Sequence, residues 1–238
     1  MTGTPDGRVR FAREGYVAQP LFAPQLVRAA QADIAATLDA TLRTLGVTGL
    51  PPIPREAPAA WLDRLARTHS ALADTLRHHV CAEAHHGPHL TALATDPALR
   101  TAAERLAGTP LDPGEGIRRV RASLSAFPEH RHGWHSDVAL DDGTDCARVR
   151  IAAWIPLDDA GPESGGLELA PGARTAPLPH RRDDGRFVIA PEALAGAPRV
   201  RPVCPAGTVL FMDRFTPHRT LPAGPQGRFA LVLWMKAA

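Results

Sequence analysis

Asparagine is absent from this 238-residue sequence, and lysine occurs only once, at Lys236. Where the chain must bind an anion with a side chain, arginine is therefore almost the only candidate. Cysteine is scarce too: Cys81, Cys146 and Cys204 are odd in number and far apart in the chain. This argues against a disulfide framework and suits a reducing cytoplasm.

Long apolar segments are missing as well. No run approaches the roughly 18 apolar residues of a membrane span, and the N-terminus MTGTPDGRVRFAREG lacks the apolar centre of a secretory signal. The formal net charge is only +2 and the basic residues are spread along the chain, unlike a nucleic-acid-binding surface. We expect a cytoplasmic monomer or homodimer whose partner is a small molecule, with no role for nucleic acid or membrane.

The first half of the chain has helical periodicity. From Pro24 to about Leu45, apolar residues recur every three to four positions, and Pro24 suits a helix start. Two further segments rich in alanine, leucine and arginine, Ala59 to about His86 and Pro97 to Leu106, also predict helices. We expect the part from residue 1 to about 116 to be helical.

Five histidines lie on or just after the second of these helices: His78, His79, His85, His86 and His89. They could bind a metal ion. No carboxylate or cysteine framework accompanies them, however, so the sequence favours a solvated helix end.

From Ile117 onward the pattern changes to alternation of apolar and polar residues. Segments of strand length end at Pro, Gly or Asp and are separated by turn-forming clusters. They are IRRVRASLSAF, CARVRIAAWIPL, GLELAPG, RFVIAP, GTVLFMD and RFALVLWM. Many short strands with such turns indicate a sandwich or barrel. We expect one domain, residues 1–238, that is mainly β from about 117 to 238, with the helices flanking it.

The segment GWHSD, residues 133–137, contains a possible pair of metal ligands. Side chains two apart on an extended strand point the same way, so His135 and Asp137 can reach one ion. About 0.7 such His-x-Asp pairs are expected by chance in this composition, so the pair needs a third ligand. His180 lies in a polar segment that reads as a loop, whereas His218 directly follows the most apolar strand. His218 is therefore our choice, and two histidines with one carboxylate suit Fe(II).

Arg228 follows His218 by ten residues, at the start of the last predicted strand. A returning strand can aim its guanidinium into the barrel beside the metal, where the planar group would bind a carboxylate through two hydrogen bonds. An arginine buried without an anion would be costly, so an inward Arg228 implies a partner. Taken alone, Arg228 could be a surface residue, because arginine is mostly exposed.

Several motifs occur together in one order: H-x-D, WIPLDD, GGLELAPG, AGTVLFMD, HRT and the arginine ten residues past the second histidine. With the opening segment FAREGYVAQPLF, this series resembles the phytanoyl-CoA dioxygenase family. The resemblance implies an Fe(II)- and 2-oxoglutarate-dependent oxygenase that uses O2, built on a double-stranded β-helix, the jelly-roll or cupin-like barrel. The likeness is dense from about 117 to 236 and looser before that.

The resemblance also implies roles for individual residues. His135, Asp137 and His218 would be the catalytic iron ligands, and Arg228 would bind the distal carboxylate of 2-oxoglutarate. Two more residues are implied at the co-substrate: Thr220, through its hydroxyl, and Trp154, as a pocket aromatic or simply as part of the core. The family's P-G-S-H motif reads PGAR here, which affects the pocket rim more than the metal. Related halogenases have Gly or Ala in place of the aspartate, so Asp137 disfavours halogenation.

The substrate is indicated only by residues near the ligand pair. Arg119, Arg121, Ser123 and Ser125 alternate on the preceding strand, and Arg121 and Ser123 are the contacts we predict if that face turns inward. An exposed basic face of an edge strand is the competing interpretation. Arg131 and Trp134, with His132, flank the ligands and could line the entrance, and the charged segment 174–188 could form a lid. These features favour a small polar metabolite or natural-product intermediate, although a bulky acyl-CoA stays open.

The expected reaction is hydroxylation of an aliphatic C–H bond with release of succinate and CO2. Two alternatives stay open at this point: a protein that binds metal and 2-oxoglutarate without catalysis, and a cupin-type metalloenzyme that does not use 2-oxoglutarate. The first would bind without turnover, and the second would not need Arg228.

Overall fold

The computed structural model describes residues 5–82, 87–140 and 145–238. Helices dominate the first half of the chain. The described residues form six α-helices: α1 Pro5–Glu14, α2 Pro24–Thr44, α3 Pro58–Thr68, α4 Ser70–Ala82, α5 Pro88–Ala94 and α6 Pro97–Ala107. In the described ranges, no helix combines the length and the apolar character needed to cross a membrane.

Local sequence explains where these helices begin and end. Five of them have proline in the first turn, where the missing N–H is not needed. Asp96 caps α6 by accepting hydrogen bonds from Ala98 N and Leu99 N, and Gly108 ends that helix in the left-handed conformation. The predicted helix from Pro24 matches α2, whose apolar face, including Ile34 and Leu38, is buried.

The prediction of one helix from Ala59 to about His86 is wrong at its centre. His69 leaves the helical region, with φ −137° and ψ 59°, so α3 ends at Thr68 and α4 starts at Ser70. Helical periodicity continues across a one-residue break, which is why the sequence does not show it. Residues 83–86, which include His85 and His86, lie outside the described residues.

The described residues also form nine β-strands: β1 Tyr16–Pro20, β2 Leu111–Ser123, β3 Val149–Pro156, β4 Leu167–Leu169, β5 His180–Asp183, β6 Arg186–Ile189, β7 Thr208–Asp213, β8 His218–Thr220 and β9 Arg228–Ala237. All six predicted segments contain a strand. A five-stranded antiparallel sheet, which we call the main sheet, has the order β1-β7-β3-β9-β2. The antiparallel pairs β4–β8 and β5–β6 are separate.

Three strands were not predicted. β8 has only three residues, too few to show alternation, and β5 is the charged segment HRRD, which we expected to be a loop. β1 lies in the part predicted to be helical, yet it pairs with β7 at the edge of the main sheet. The N-terminal part of the chain therefore contributes to the β structure.

The two faces of the main sheet pack against different layers. In β3, Ile151 and Ile155 pack in one apolar cluster with helical residues such as Leu38. Trp154, on the opposite face, belongs to a second cluster with Leu169 of β4. Alternation along the strand thus directs one face to the helices and the other to the β4–β8 pair. The predicted class, mainly β with flanking helices, is confirmed, and the three predicted metal ligands lie on the β4–β8 side of the main sheet.

Candidate metal centre and co-substrate pocket

The structure brings His135, Asp137 and His218 together. The backbones of His135 and His218 pair, with His135 N donating to His218 O at 3.0 Å and His218 N to His135 O at 2.8 Å. One potential ligand atom from each of the three side chains lies within 4.8 Å of the other two. Within the described part of the chain, no other three such residues converge in this way.

Backbone carbonyls orient both imidazoles in the same manner. His135 Nδ1 lies 2.9 Å from Gly133 O, and His218 Nδ1 lies 3.0 Å from Thr216 O. A carbonyl only accepts, so each Nδ1 must carry the hydrogen, which leaves Nε2 as a free lone pair. Desolvation and the neighbouring His218 hold the pKa of His135 well below its usual value, so its imidazole is neutral, as metal binding requires.

Asp137 has one oxygen that is satisfied and one that is not. Trp234 Nε1 donates to Asp137 Oδ1. Asp137 Oδ2 is buried and has no hydrogen-bond partner. Since a buried carboxylate oxygen without a partner is costly, the site fits a cation between this oxygen and the two free imidazole nitrogens.

Arg228, the residue predicted to bind the co-substrate, is also buried, with 2% of its surface exposed. Its Nε donates to Gly165 O at 2.7 Å, and its guanidinium lies 4.9 Å from the centre of the Trp154 ring. Its Nη1, however, is buried without a partner. Burial lowers the pKa of Arg228 to about 10, against the attraction of Asp158, so the group stays positive at neutral pH. An unpaired buried cation of this kind fits an anionic ligand.

Ser123 and Gly165 complete the surroundings of this guanidinium. Ser123 pairs with Arg228 across β2 and β9, and its buried Oγ also lacks a partner. Gly165 has φ +72°, and a Cβ placed there would lie 2.8 Å from Ser123 Oγ and 3.4 Å from Arg228 Nε. Any larger residue at 165 would crowd these two polar groups, so the glycine keeps a cradle in which Ser123 Oγ and Arg228 Nη1 are both without a partner.

A cavity of about 480 Å³ joins the metal ligands and Arg228. His135, Asp137 and His218 line it, and so do the three residues that the resemblance implied for 2-oxoglutarate: Trp154, Thr220 and Arg228. Trp154 is both core and pocket, because its buried ring packs in the second apolar cluster and one face meets Arg228.

The predicted substrate residues divide into three groups. Arg121 and Arg131 line the cavity. Ser123 also lines it, but beside Arg228, at the end that fits the co-substrate. Trp134 does not line it: its buried ring packs with Ile189, and the Arg199 and Arg219 guanidiniums lie 4.5 and 5.0 Å from its centre. The prediction for Trp134 is corrected, because alternation turns its side chain away from that of His135.

Several residues of the cavity and its support were not predicted from the sequence. Trp234 comes to Asp137 from 97 positions away, and Arg77 and Arg186 line the cavity from a helix and a hairpin. His180 is not one of the three converging residues, yet it supports them, since its Nε2 accepts a hydrogen bond from Ser136 N at 3.1 Å. The alternation of β9, which places Trp234 on the same face as Arg228, was the one sequence signal available.

The three described histidines of the cluster, His78, His79 and His89, do not line this cavity. His78 and His79 are exposed, as a solvated helix end predicts. His89 Nδ1 lies 2.9 Å from Asp33 Oδ1, so this side chain is engaged in tying α5 to α2.

The family model described as phytanoyl-CoA dioxygenase matches residues 11–230. Curated protein sequences give no match.

Solved structures show the same fold. The non-heme alpha ketoglutarate dependent carbocyclase SnoK from nogalamycin biosynthesis has a TM-score of 0.60 at 19% identity, over 99% of this chain and 84% of its own. AviO1 from Streptomyces viridochromogenes Tue57 gives 0.58 at 20%, over 99% and 96%. The epimerase SnoN, in complex with Fe3+, alpha ketoglutarate and nogalamycin RO, gives 0.57 at 19%, over 98% and 83%. The family match covers almost the whole length of the sequence, and the chain therefore belongs to the phytanoyl-CoA dioxygenase family.

Proposed function

We propose that this protein is an Fe(II)- and 2-oxoglutarate-dependent dioxygenase that hydroxylates an aliphatic C–H bond of a small polar metabolite or natural-product intermediate. The observation that supports this best is the pairing, in one cavity, of a His-Asp-His group with a buried guanidinium. Each part has a buried polar atom without a partner, Asp137 Oδ2 at one end and Arg228 Nη1 at the other. A divalent cation would give Asp137 Oδ2 a partner, and a dicarboxylate would give Arg228 Nη1 one.

The ferrous ion and 2-oxoglutarate, when bound, supply the oxidative chemistry, in which O2 and 2-oxoglutarate are converted to succinate and CO2 while one oxygen atom enters the substrate. His135, Asp137 and His218 are the residues that would hold the metal, through Nε2, Oδ2 and Nε2. Their hydrogen bonds to Gly133, Trp234 and Thr216 fix these atoms in place before the metal arrives.

Arg228 binds the distal carboxylate of 2-oxoglutarate in this proposal. Gly165 O holds Nε, so that Nη1 points at the ligand, and Trp154 covers the face of the guanidinium. Ser123 Oγ and the Thr220 hydroxyl add donors. The role of Ser123 is therefore reassigned from the substrate to the co-substrate, since it pairs with Arg228 across the sheet.

Hydroxylation is the default outcome, because Asp137 occupies the position that halogenases leave open. SnoK is described as a carbocyclase and SnoN as an epimerase, so this fold also accommodates other outcomes. Substrate placement relative to the metal decides among them, and a product analysis would identify the outcome here.

We further propose that the main sheet and the β4–β8 pair are the two sheets of a double-stranded β-helix, and that residues 1–238 form one oxygenase domain. One apolar cluster that joins helices α2, α3 and α4 to strands β3, β7 and β9 supports the single domain. The three cysteines are free thiols, which supports action in a reducing cytoplasm.

The test is succinate release from 2-oxoglutarate with Fe(II) and O2, measured for the wild type and for Arg228→Ala. Leaving the distal carboxylate unpaired should weaken the binding free energy of 2-oxoglutarate by about 2–5 kcal/mol, which raises its KM by at least roughly 30-fold. Arg228→Lys should recover part of this loss, because it restores the charge but not the two-point contact.

Three results would contradict the proposal in different ways. Full turnover in His135→Ala would remove the metal assignment. Stoichiometric 2-oxoglutarate binding without turnover, across a panel of metabolites, would favour a binding protein. Unchanged 2-oxoglutarate affinity in Arg228→Ala would favour a metalloenzyme that does not use this co-substrate.

A further inference from the structure

Four arginines besides Arg228 line the cavity. Arg77, Arg121, Arg131 and Arg186 contribute to its wall, whereas Asp137 is the one carboxylate residue that does so in the described part of the chain. From this lining we infer that the substrate carries a carboxylate or phosphate group and that Arg121 is the residue that binds it. The inference rests on the proposed function and names the substrate class for that site.

Formal charge supports an anion here. With metal and co-substrate bound, the two positive charges of Fe(II) and the one of Arg228 balance the two negative charges of 2-oxoglutarate and the one of Asp137. Among the groups that line the cavity, these charges therefore cancel. Arg77 is balanced by Asp74 at 2.8 Å, but the other three arginines are not balanced within the cavity. Like charges facing one another are repulsive, so a bound anion is favoured.

Arg121 is the arginine best placed to act. Arg131 Nε donates to Pro128 O, and Arg186 Nη1 donates to the carbonyls of Glu129 and Arg131, so both serve partly to hold the rim. Among the described residues, Arg121 has neither a hydrogen bond nor an ion pair. Its guanidinium lies 5.6 Å from the centre of the Trp234 ring, a stacking contact that leaves its N–H groups free for a two-point contact with an oxyanion.

Trp234 connects this anion site to the metal centre. One face of the indole meets Arg121, and its N–H donates to Asp137. An anionic group bound to Arg121 would thus be separated from the metal by the Trp234 ring, and the rest of the substrate would extend toward the metal. His132 adds a second recognition point: its ring stacks on His135 at 3.5 Å, and its buried Nε2 has no partner. A substrate hydroxyl or amine can donate to that nitrogen.

The experiment uses the protein loaded with redox-inert Zn(II) and 2-oxoglutarate, so that the Arg228 site is filled. Three probes with the same ring, phenylacetate, phenyl phosphate and phenylacetamide, are titrated by saturation-transfer NMR. We expect at least one anion to bind ten-fold or more tightly than the neutral amide. Arg121→Gln should remove this preference and leave amide binding unchanged. Preference for phenylacetate or for phenyl phosphate identifies which oxyanion the site takes.

Matched variants keep the test specific. Arg118→Gln makes the same charge change on the opposite face of β2 and should retain the preference. Arg131→Gln removes a second cation of the rim and should weaken anion binding by a smaller factor. Equal binding of amide and anions, no anion binding, or an Arg121→Gln variant that behaves as wild type would overturn the inference. If 2-oxoglutarate itself fails to bind the Zn(II)-loaded wild type, the proposed function fails instead.

Discussion

At the scale of single residues, Trp234 determines how the carboxylate of Asp137 is presented. Trp234→Phe keeps an aromatic ring near Val149 and Arg121 but removes the N–H that donates to Asp137 Oδ1. Loss of such an outer partner weakens metal affinity by about 10–100-fold in comparable sites. We expect a loss in this range, measured by titration with Fe(II) under anaerobic conditions.

Trp61→Phe is the matched control for that change. It removes the same kind of N–H bond, from Trp61 Nε1 to Pro51 O, outside the cavity lining. Metal affinity equal to the wild type is expected for this control. If Trp234→Phe also binds Fe(II) with wild-type affinity, the indole does not orient Asp137.

Gly165 is the second residue whose role can be isolated. In Gly165→Ala, the new Cβ would meet Ser123 Oγ and Arg228 Nε in the cradle that we assign to the distal carboxylate. We expect the KM for 2-oxoglutarate to rise at least ten-fold, with a loss of about 1 kcal/mol or more in the free energy of unfolding from the positive φ.

Gly46→Ala separates these two effects. Gly46 has a similar φ of +67° but no atom within 4 Å of an added Cβ. It should lose stability and keep the wild-type KM. A Gly165→Ala enzyme with unchanged KM would show that the cradle does not hold the co-substrate.

These residues also show how far sequence reasoning reaches. The order of motifs made His135, Asp137, His218 and Arg228 predictable, because ligand spacing and strand alternation are local properties. The alternation of β9 could show which face Trp234 takes but not its contact with Asp137, since that contact depends on which strands become neighbours. Trp134 was misplaced for a related reason: proximity in sequence to a ligand does not decide which face a side chain takes.

At the scale of elements, the β5–β6 hairpin supports the metal centre from outside. His180 Nδ1 lies 2.7 Å from Leu178 O, so Nε2 is the acceptor for the N–H of Ser136, the residue between the two ligands. In His180→Phe the N–H of Ser136, a buried residue, would lose its partner, at a cost of about 1–3 kcal/mol. We expect weaker Fe(II) binding and a lower free energy of unfolding.

His180→Gln is the informative companion, because its amide oxygen can still accept that hydrogen bond. It should restore most of the metal affinity lost in His180→Phe. Wild-type metal binding by the Phe variant would mean that the hairpin does not position the ligands. The sequence predicted a loop here, because the charged residues of β5 show no apolar alternation and the strand pairs only with the adjacent strand β6.

At the scale of the whole molecule, helices and sheets share one core. Phe211 of β7 is fully buried in the cluster that includes Leu38 and Leu62 of the helices. Phe211→Ala should therefore lower the free energy of unfolding by about 3–5 kcal/mol. Because the layers depend on each other, helix loss seen by circular dichroism and tryptophan exposure seen by fluorescence should move to lower urea together.

Two separate unfolding transitions, with Phe211→Ala affecting only one of them, would contradict a single domain. The sequence indicated both layers, through two different periodicities, but not the contribution of β1. An edge strand of five residues inside a helical region has no periodic signal of its own, and only its pairing with β7 reveals it.

The most direct test of the central claim is a crystal structure of the protein soaked anaerobically with Fe(II) and 2-oxoglutarate. We predict one metal ion bonded to His135, Asp137 and His218, chelated by 2-oxoglutarate, with the distal carboxylate against Arg228 and Ser123. Metal bound elsewhere, or 2-oxoglutarate bound away from Arg228, would contradict the account.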